Sequence, residues 1–207
     1  MAFIIAIILA AVIPSQDIIQ ASIENFNNIE SYSVTLRSRS DDSNEEMRYY
    51  YKKPGFMRME FIKPYKGAVL VYNQSKNEVR LRPFGFFKFF ILTLSPDNSL
   101  IKSSKGHRVD ESDIGALLKA VKKLQSNGKT DVSGEEKVGD KTAVVVSIKG
   151  EKDFTVNGIH RYILWLEKNM ILPLKVSAYD IQGALIEEVM MDDLQINIGI
   201  TEDFFDL

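Results

Sequence analysis

From Tyr32 to Leu194 the chain repeatedly alternates apolar with polar residues, and turn-forming residues break the alternation every few positions. A period of two puts every second side chain on a common face, so the pattern dictates β-strands. Phe56 to Ile62 is the clearest case: Met57, Met59 and Phe61 share one face, Arg58 and Glu60 the other. Tyr32, Val34 and Leu36 alternate with Ser and Thr, and Val79 and Leu81 with Glu78, Arg80 and Arg82. Further strands are predicted over Glu46 to Lys53, Gly67 to Tyr72, Thr130 to Lys137, Lys141 to Ile148, Gly158 to Glu167, Leu172 to Tyr179 and Ala184 to Leu194. Asp41 to Asn44, Pro54-Gly55, Asn73 to Asn77, Gly139-Asp140, Lys168-Asn169 and Gln182-Gly183 supply the turns. Short strands at hairpin spacing predict an antiparallel sheet.

Two segments carry the helical period instead. Gln16 to Glu30 aligns Ile19, Ile23, Phe26 and Ile29, with Asp17 placed to cap the start. Asp110 to Leu124 aligns Ile114, Leu117, Leu118, Val121 and Leu124. Its acids lie at the N-terminal end and Lys119, Lys122 and Lys123 toward the C-terminal end, matching the helix dipole. Ser95 to Arg108 is polar and reads as loop. The expected architecture is α+β, mainly β: one long, strongly curved antiparallel sheet with two helices.

Phe84, Phe86, Phe87, Phe89 and Phe90 crowd into seven residues of a chain that holds 12 phenylalanines in all. Such a run is either core or the wall of a site for an apolar ligand. The concave side of a curved sheet would collect Met57, Met59, Phe61, Val69, Val71, Val79, Leu81, Phe87 and Phe89. Methionines and aromatics form a soft lining suited to flexible acyl chains, unless the two helices fill that hollow themselves.

Little in the chain points to catalysis. It has no cysteine and two histidines. His107, Asp110, Ser112 and Asp113 are close in sequence, but no Gly-x-Ser-x-Gly turn presents a nucleophile, and the acids and Ser112 suit a helix start. His160 sits in a strand pattern beside Arg161. The spacings match neither a calcium loop nor a zinc site, and no glycine-rich phosphate loop follows a strand. Tyr49 to Lys53 interleaves aromatics with lysines, but Lys+Arg (26) does not exceed Asp+Glu (28), so no basic field attracts nucleic acid. We expect no enzyme activity, no cofactor, no metal and no nucleic-acid partner.

Phe3 to Ile13 is eleven apolar residues ahead of the first charge, Asp17. A membrane-spanning helix needs about 20, and the length fits the core of a secretory signal. Residues 1–15 are expected to be removed on export, leaving one domain over 16–207 in the periplasm. Without a cysteine the mature chain is expected to be soluble and free of a lipid anchor.

Three segments carry a resemblance. They are Tyr51-Lys-Lys-Pro-Gly-Phe-Met-Arg-Met-Glu-Phe61, Leu164-Trp-Leu-Glu-Lys-Asn-Met-Ile-Leu-Pro-Leu-Lys-Val176, and Tyr179-Asp-Ile-Gln-Gly183 followed by Asp193 to Asn197 and Asp203-Phe-Phe. In this order they resemble the periplasmic outer-membrane lipoprotein carriers, the LolA-like and LolB-like proteins. The resemblance implies an unclosed β half-barrel with a helical lid over an apolar cavity that holds lipoprotein acyl chains. It also implies monomeric transfer between membrane-bound donor and acceptor proteins. The family's arginine before proline, which bonds to lid backbone, falls at Lys53, and a neighbouring cavity aromatic falls at Met57. Lysine is a point charge without arginine's fork, so a weaker lid contact is expected. The alternative expectation is an envelope sensor that binds a protein partner through the same fold.

Overall fold

In the computed structural model, residues 17–41, 43–83, 89–101 and 108–207 are described. The expected signal segment, Phe84, Phe86, Phe87 and His107 lie outside them.

Helix α1 (Ile18–Asn27) begins where Asp17 accepts hydrogen bonds from the backbone N–H of Ile19 and Gln20 at 3.1 and 3.3 Å. The strands follow as β1 (Ser31–Arg39), β2 (Asn44–Lys52), β3 (Phe56–Lys63), β4 (Val69–Asn73), β5 (Glu78–Arg82) and β6 (Leu92–Leu94). A 3-10 turn at Val109–Glu111 leads into helix α2 (Ile114–Gln125). Then come β7 (Gly128–Val138), β8 (Lys141–Gly150), β9 (Arg161–Glu167), β10 (Pro173–Tyr179), β11 (Leu185–Ile196) and a closing 3-10 turn at Glu202–Phe205. Asp110 and Glu111 sit in the 3-10 turn, so α2 starts later than its acidic residues suggest, with Asp113 as cap.

All eleven strands form one antiparallel sheet in the order β6-β5-β4-β3-β2-β1-β11-β10-β9-β8-β7. β6 and β7 are not paired with each other, so the curved sheet stays open as a half-barrel. α1 and α2 lie on its inner face and run antiparallel. Asp17 at the start of α1 takes an ion pair from Lys122 and a hydrogen bond from Gln125 near the end of α2. At the other end Phe26 packs on Gly115, where an added Cβ would sit 2.5 Å from the ring. The α2 stripe of Ile114, Leu118, Val121 and Leu124 is buried with Ile148, Leu164 and Leu166 from the sheet. The helices therefore fill the hollow with core. At Gly128, where α2 turns into β7, a Cβ would lie 2.5 Å from the Lys149 carbonyl, which demands glycine.

The outer face is covered over β2 to β5 by the C-terminal segment. Phe204 packs edge-on against Tyr50, and Phe205 against Phe56 beside Val69 and Val71. Three cations tie the segment down through its carbonyls: Lys52 to Ile200 at 2.9 Å, Arg58 to Phe204 at 2.8 Å and Arg80 to Leu207 at 2.8 Å.

Candidate functional site

The pairing register decides which residues share the inner face. Met57 lies opposite Tyr72 and Met59 opposite Leu70, while Val69 and Val71 lie opposite Glu60 and Arg58. The inner face of this half therefore carries Met57, Met59, Leu70, Tyr72 and Val79, with Phe61 and Leu81 partly buried at its border. Val69 and Val71 are a correction: they point outward into the cluster beneath Phe205. β4 is apolar on both faces because both are covered, so alternation within it gives no parity. Phe89 is also corrected. It stands fully exposed just ahead of β6, and Phe90 is half exposed. The expected lining residue Phe87 falls outside the described residues.

Lys53 does reach the helices. Its Nζ donates to the carbonyl of Asn27, the last residue of α1, at 2.6 Å, with Glu30 at 3.9 Å. A cation at a helix C-terminus is favourably placed. Asn25 adds a second tether through its side-chain amide to the Met170 carbonyl at 2.8 Å.

The polar centre of the inner face is a tyrosine stack whose members sequence reasoning noted as strand residues and as part of an aromatic–basic run, not as a cluster. Tyr32 pairs across β1 and β2 with Tyr51, and Tyr49 sits two positions along. The Tyr32 ring stacks on Tyr51 at 5.2 Å and on Tyr49 at 5.9 Å, and Phe26 of α1 packs on Tyr32 and Tyr51. The shared parity of Tyr49 and Tyr51, with Tyr50 turned outward, was the available signal. The stack meets the start of α2. The Tyr32 hydroxyl accepts from the Ile114 backbone N–H at 3.2 Å. Ser112 donates to the Val109 carbonyl at 2.6 Å and lies 3.8 Å from the Met57 sulfur.

Electrostatics here follow from burial. Burial pushes the Tyr32 and Tyr49 hydroxyls well above the ordinary phenol range, and burial with the nearby Asp113 carboxylate pushes Tyr51 up to about 12. The Asp113 carboxyl is itself raised by burial, against the lowering effect of hydrogen bonds from the Ala116 and Gly115 N–H groups. All three tyrosines stay protonated at physiological pH. Among the described residues, the site offers hydroxyl donors and an apolar surround.

Of the histidine and serine candidates, His107 lies outside the described residues, and His160 and Ser112 each have a partner of their own. His160 is buried with Nδ1 3.0 Å from the Phe154 carbonyl, and the Ser112 hydroxyl is spent on Val109. A surface cleft of about 360 Å³ lies where Glu30, Ser31 and Lys52 meet Asn197 to Ile200. Its polar groups bond to one another, as in Ser31 to Ile198 and Lys52 to Ile200.

A family model described as protein of unknown function (DUF1571) matches residues 29–207. No curated protein matches the chain. Among solved structures, the fold is similar to an uncharacterized conserved protein from Thermus thermophilus, with 15% identity, TM-score 0.55 and coverage of 92% of this chain and 91% of that one. It is similar to a chain of the Pseudomonas aeruginosa MucA/MucB complex, with 15% identity and TM-score 0.58. That match covers 92% of this chain but only 60% of the other. It is also similar to the Mycobacterium tuberculosis lipoprotein LppX, with 10% identity, TM-score 0.51 and coverage of 89% and 95%. All three likenesses lie below 25% identity and are likenesses of fold.

Proposed function

The chain belongs to the DUF1571 family, and we propose that this member is an exported, non-enzymatic carrier that holds lipoprotein acyl chains or another lipid against the inner face of its sheet. The supporting observation is that face itself. From Met57 to Val79 it is apolar across three strands, and the helical layer beside it is tied down by polar contacts at Lys53 and Tyr32, with Asn25 bonded to the Met170 carbonyl between β9 and β10. An acyl chain entering beneath the helices would leave water at a gain of about 0.8 kcal/mol per CH₂. The helices would exchange core contacts for ligand contacts of the same chemistry, so the switch costs less than opening onto water. The periplasm is the compartment in which such shielding is needed, and Phe3 to Ile13 supplies the export signal.

A second reading is an envelope protein that binds a protein partner. The fold likeness to a chain of the MucA/MucB complex supports it. The two readings separate on one measurement. Native mass spectrometry of the protein purified from its own envelope should show an added mass that organic extraction removes. A bare polypeptide that captures a partner after delipidation would sink the carrier reading.

A further inference from the structure

Three buried polar side-chain atoms make no hydrogen bond among the described residues: Ser22 Oγ, Tyr49 Oη and Arg82 Nε. The one carried by the sheet's inner face is Tyr49, which is 1% exposed. The Ser112 and Tyr32 hydroxyls lie close enough to favour its ionised form, but neither stands in full hydrogen-bond geometry to it. Buried tyrosine hydroxyls ordinarily find a partner, and leaving one unmet costs stability. Each neighbour already holds one bond of its own. Tyr32 Oη is held by Ile114 N–H at the N-terminus of α2, Ser112 by Val109, and Asp113 caps the helix.

We propose that Tyr49 is the polar anchor for the carbonyl oxygen of a neutral fatty ester or amide, a site that becomes reachable when the Val109–Ile114 segment shifts off the tyrosine stack. The inference rests on the lipid-carrier reading and names the group by which the lipid is held. Tyr49 stays protonated, because burial raises its pKa, and so offers a donor. The Asp113 carboxylate beside it repels a phosphate or a free fatty carboxylate, so the acceptor that fits is uncharged. Met57 and Phe26 flank the stack and supply apolar walls for the chain beyond the carbonyl. The covering segment's polar contacts with the stack are weak, a 3.2 Å neutral hydrogen bond to Tyr32 and the 3.8 Å approach of Ser112 to the Met57 sulfur, so its hold there comes mainly from the apolar packing of Val109 and Ile114, which a lipid chain would replace in kind. Once the segment moves, the Tyr32 hydroxyl is freed beside that of Tyr49, giving the carbonyl two donors.

The test uses the full chain with bound N-phenyl-1-naphthylamine as a fluorescent reporter. Methyl laurate and tetradecane, matched in length, serve as competitors. Tyr49→Phe should raise the methyl laurate concentration needed for displacement by about three- to ten-fold, the worth of one neutral hydrogen bond, and leave tetradecane unchanged. Its urea midpoint should not fall, because the lost hydroxyl had no partner. Tyr162→Phe, which removes another inner-face hydroxyl on β9 in the other half of the sheet, should change neither competitor. If Tyr49→Phe weakens both competitors or neither, or if Tyr162→Phe reproduces its effect, the anchor is overturned while the carrier reading stands. If wild type binds neither reporter nor competitors, the carrier reading fails and the anchor fails with it.

Discussion

Asp113 shows how a single side chain can serve the fold and burden it at once. It accepts the Ala116 N–H at 3.0 Å and so caps α2, yet its carboxylate is sunk among tyrosines. Burial raises its pKa in the folded chain above the ordinary carboxylate value. Between those two values the folded state holds more protons than the unfolded one, so this group makes stability fall as pH rises through the window. Above the folded pKa the loss is complete, and below 3.8 it vanishes. Asp113→Asn keeps a capping oxygen without the charge. We expect it to be more stable than wild type at neutral pH, with the difference shrinking toward zero in acid. Urea midpoints measured across pH would check this; an unchanged difference between neutral and acidic buffer would mean the cap, not the charge, dominates. At this scale the sequence was partly legible. Met57 and Met59 could be placed from alternation because β3 has one polar face, and Lys53, in the turn before it, from the family likeness. Val69 and Val71 could not, since Val69 to Tyr72 is buried throughout and only the register with β3 assigns its faces.

At the scale of elements, the two helices are joined by a close approach rather than by charge alone. Gly115 lies within the first turn of α2 and against Phe26. Helix propensity favours alanine there by about 1 kcal/mol, but the added methyl would push into a buried ring. Overpacking of this kind costs about 1–3 kcal/mol. Gly115→Ala should therefore destabilise the protein in urea despite improving the helix, and it should loosen α1 from α2. Higher amide exchange along α1 in that variant would support the reading; a gain in stability would show that Phe26 yields freely. The helices and most strands were legible because each carries its own period along most of its length. β6 was missed because three residues at a sheet edge carry no period. The 3-10 turn before α2 was read as helix because its acids mimic a helix start.

For the whole molecule, the C-terminal segment does for the outer face what the helices do for the inner one. Phe205 is buried over Phe56, Val69 and Val71, and Arg58 lies 4.7 Å over the Phe204 ring. Phe205→Ala should cost about 3–5 kcal/mol and create an exposed apolar patch that binds a dye such as ANS, while lipid displacement at the inner face is retained. Parallel loss of both would mean that the two faces do not act independently. The strand order carries a consequence for how the molecule is made. β1 sits between β2 and β11, so the middle of the sheet is a seam between the first strand and the last. Tyr32 pairs with Ile196, across nearly the full described chain. Synthesis proceeds from the N-terminus, so β1 to β5 can assemble early while one edge of β1 waits bare for a partner not yet made. Contacts of such long sequence separation also form slowly. Until β11 arrives, the nascent protein presents the bare edge of β1 in the middle of its future sheet, a template open to wrong strands.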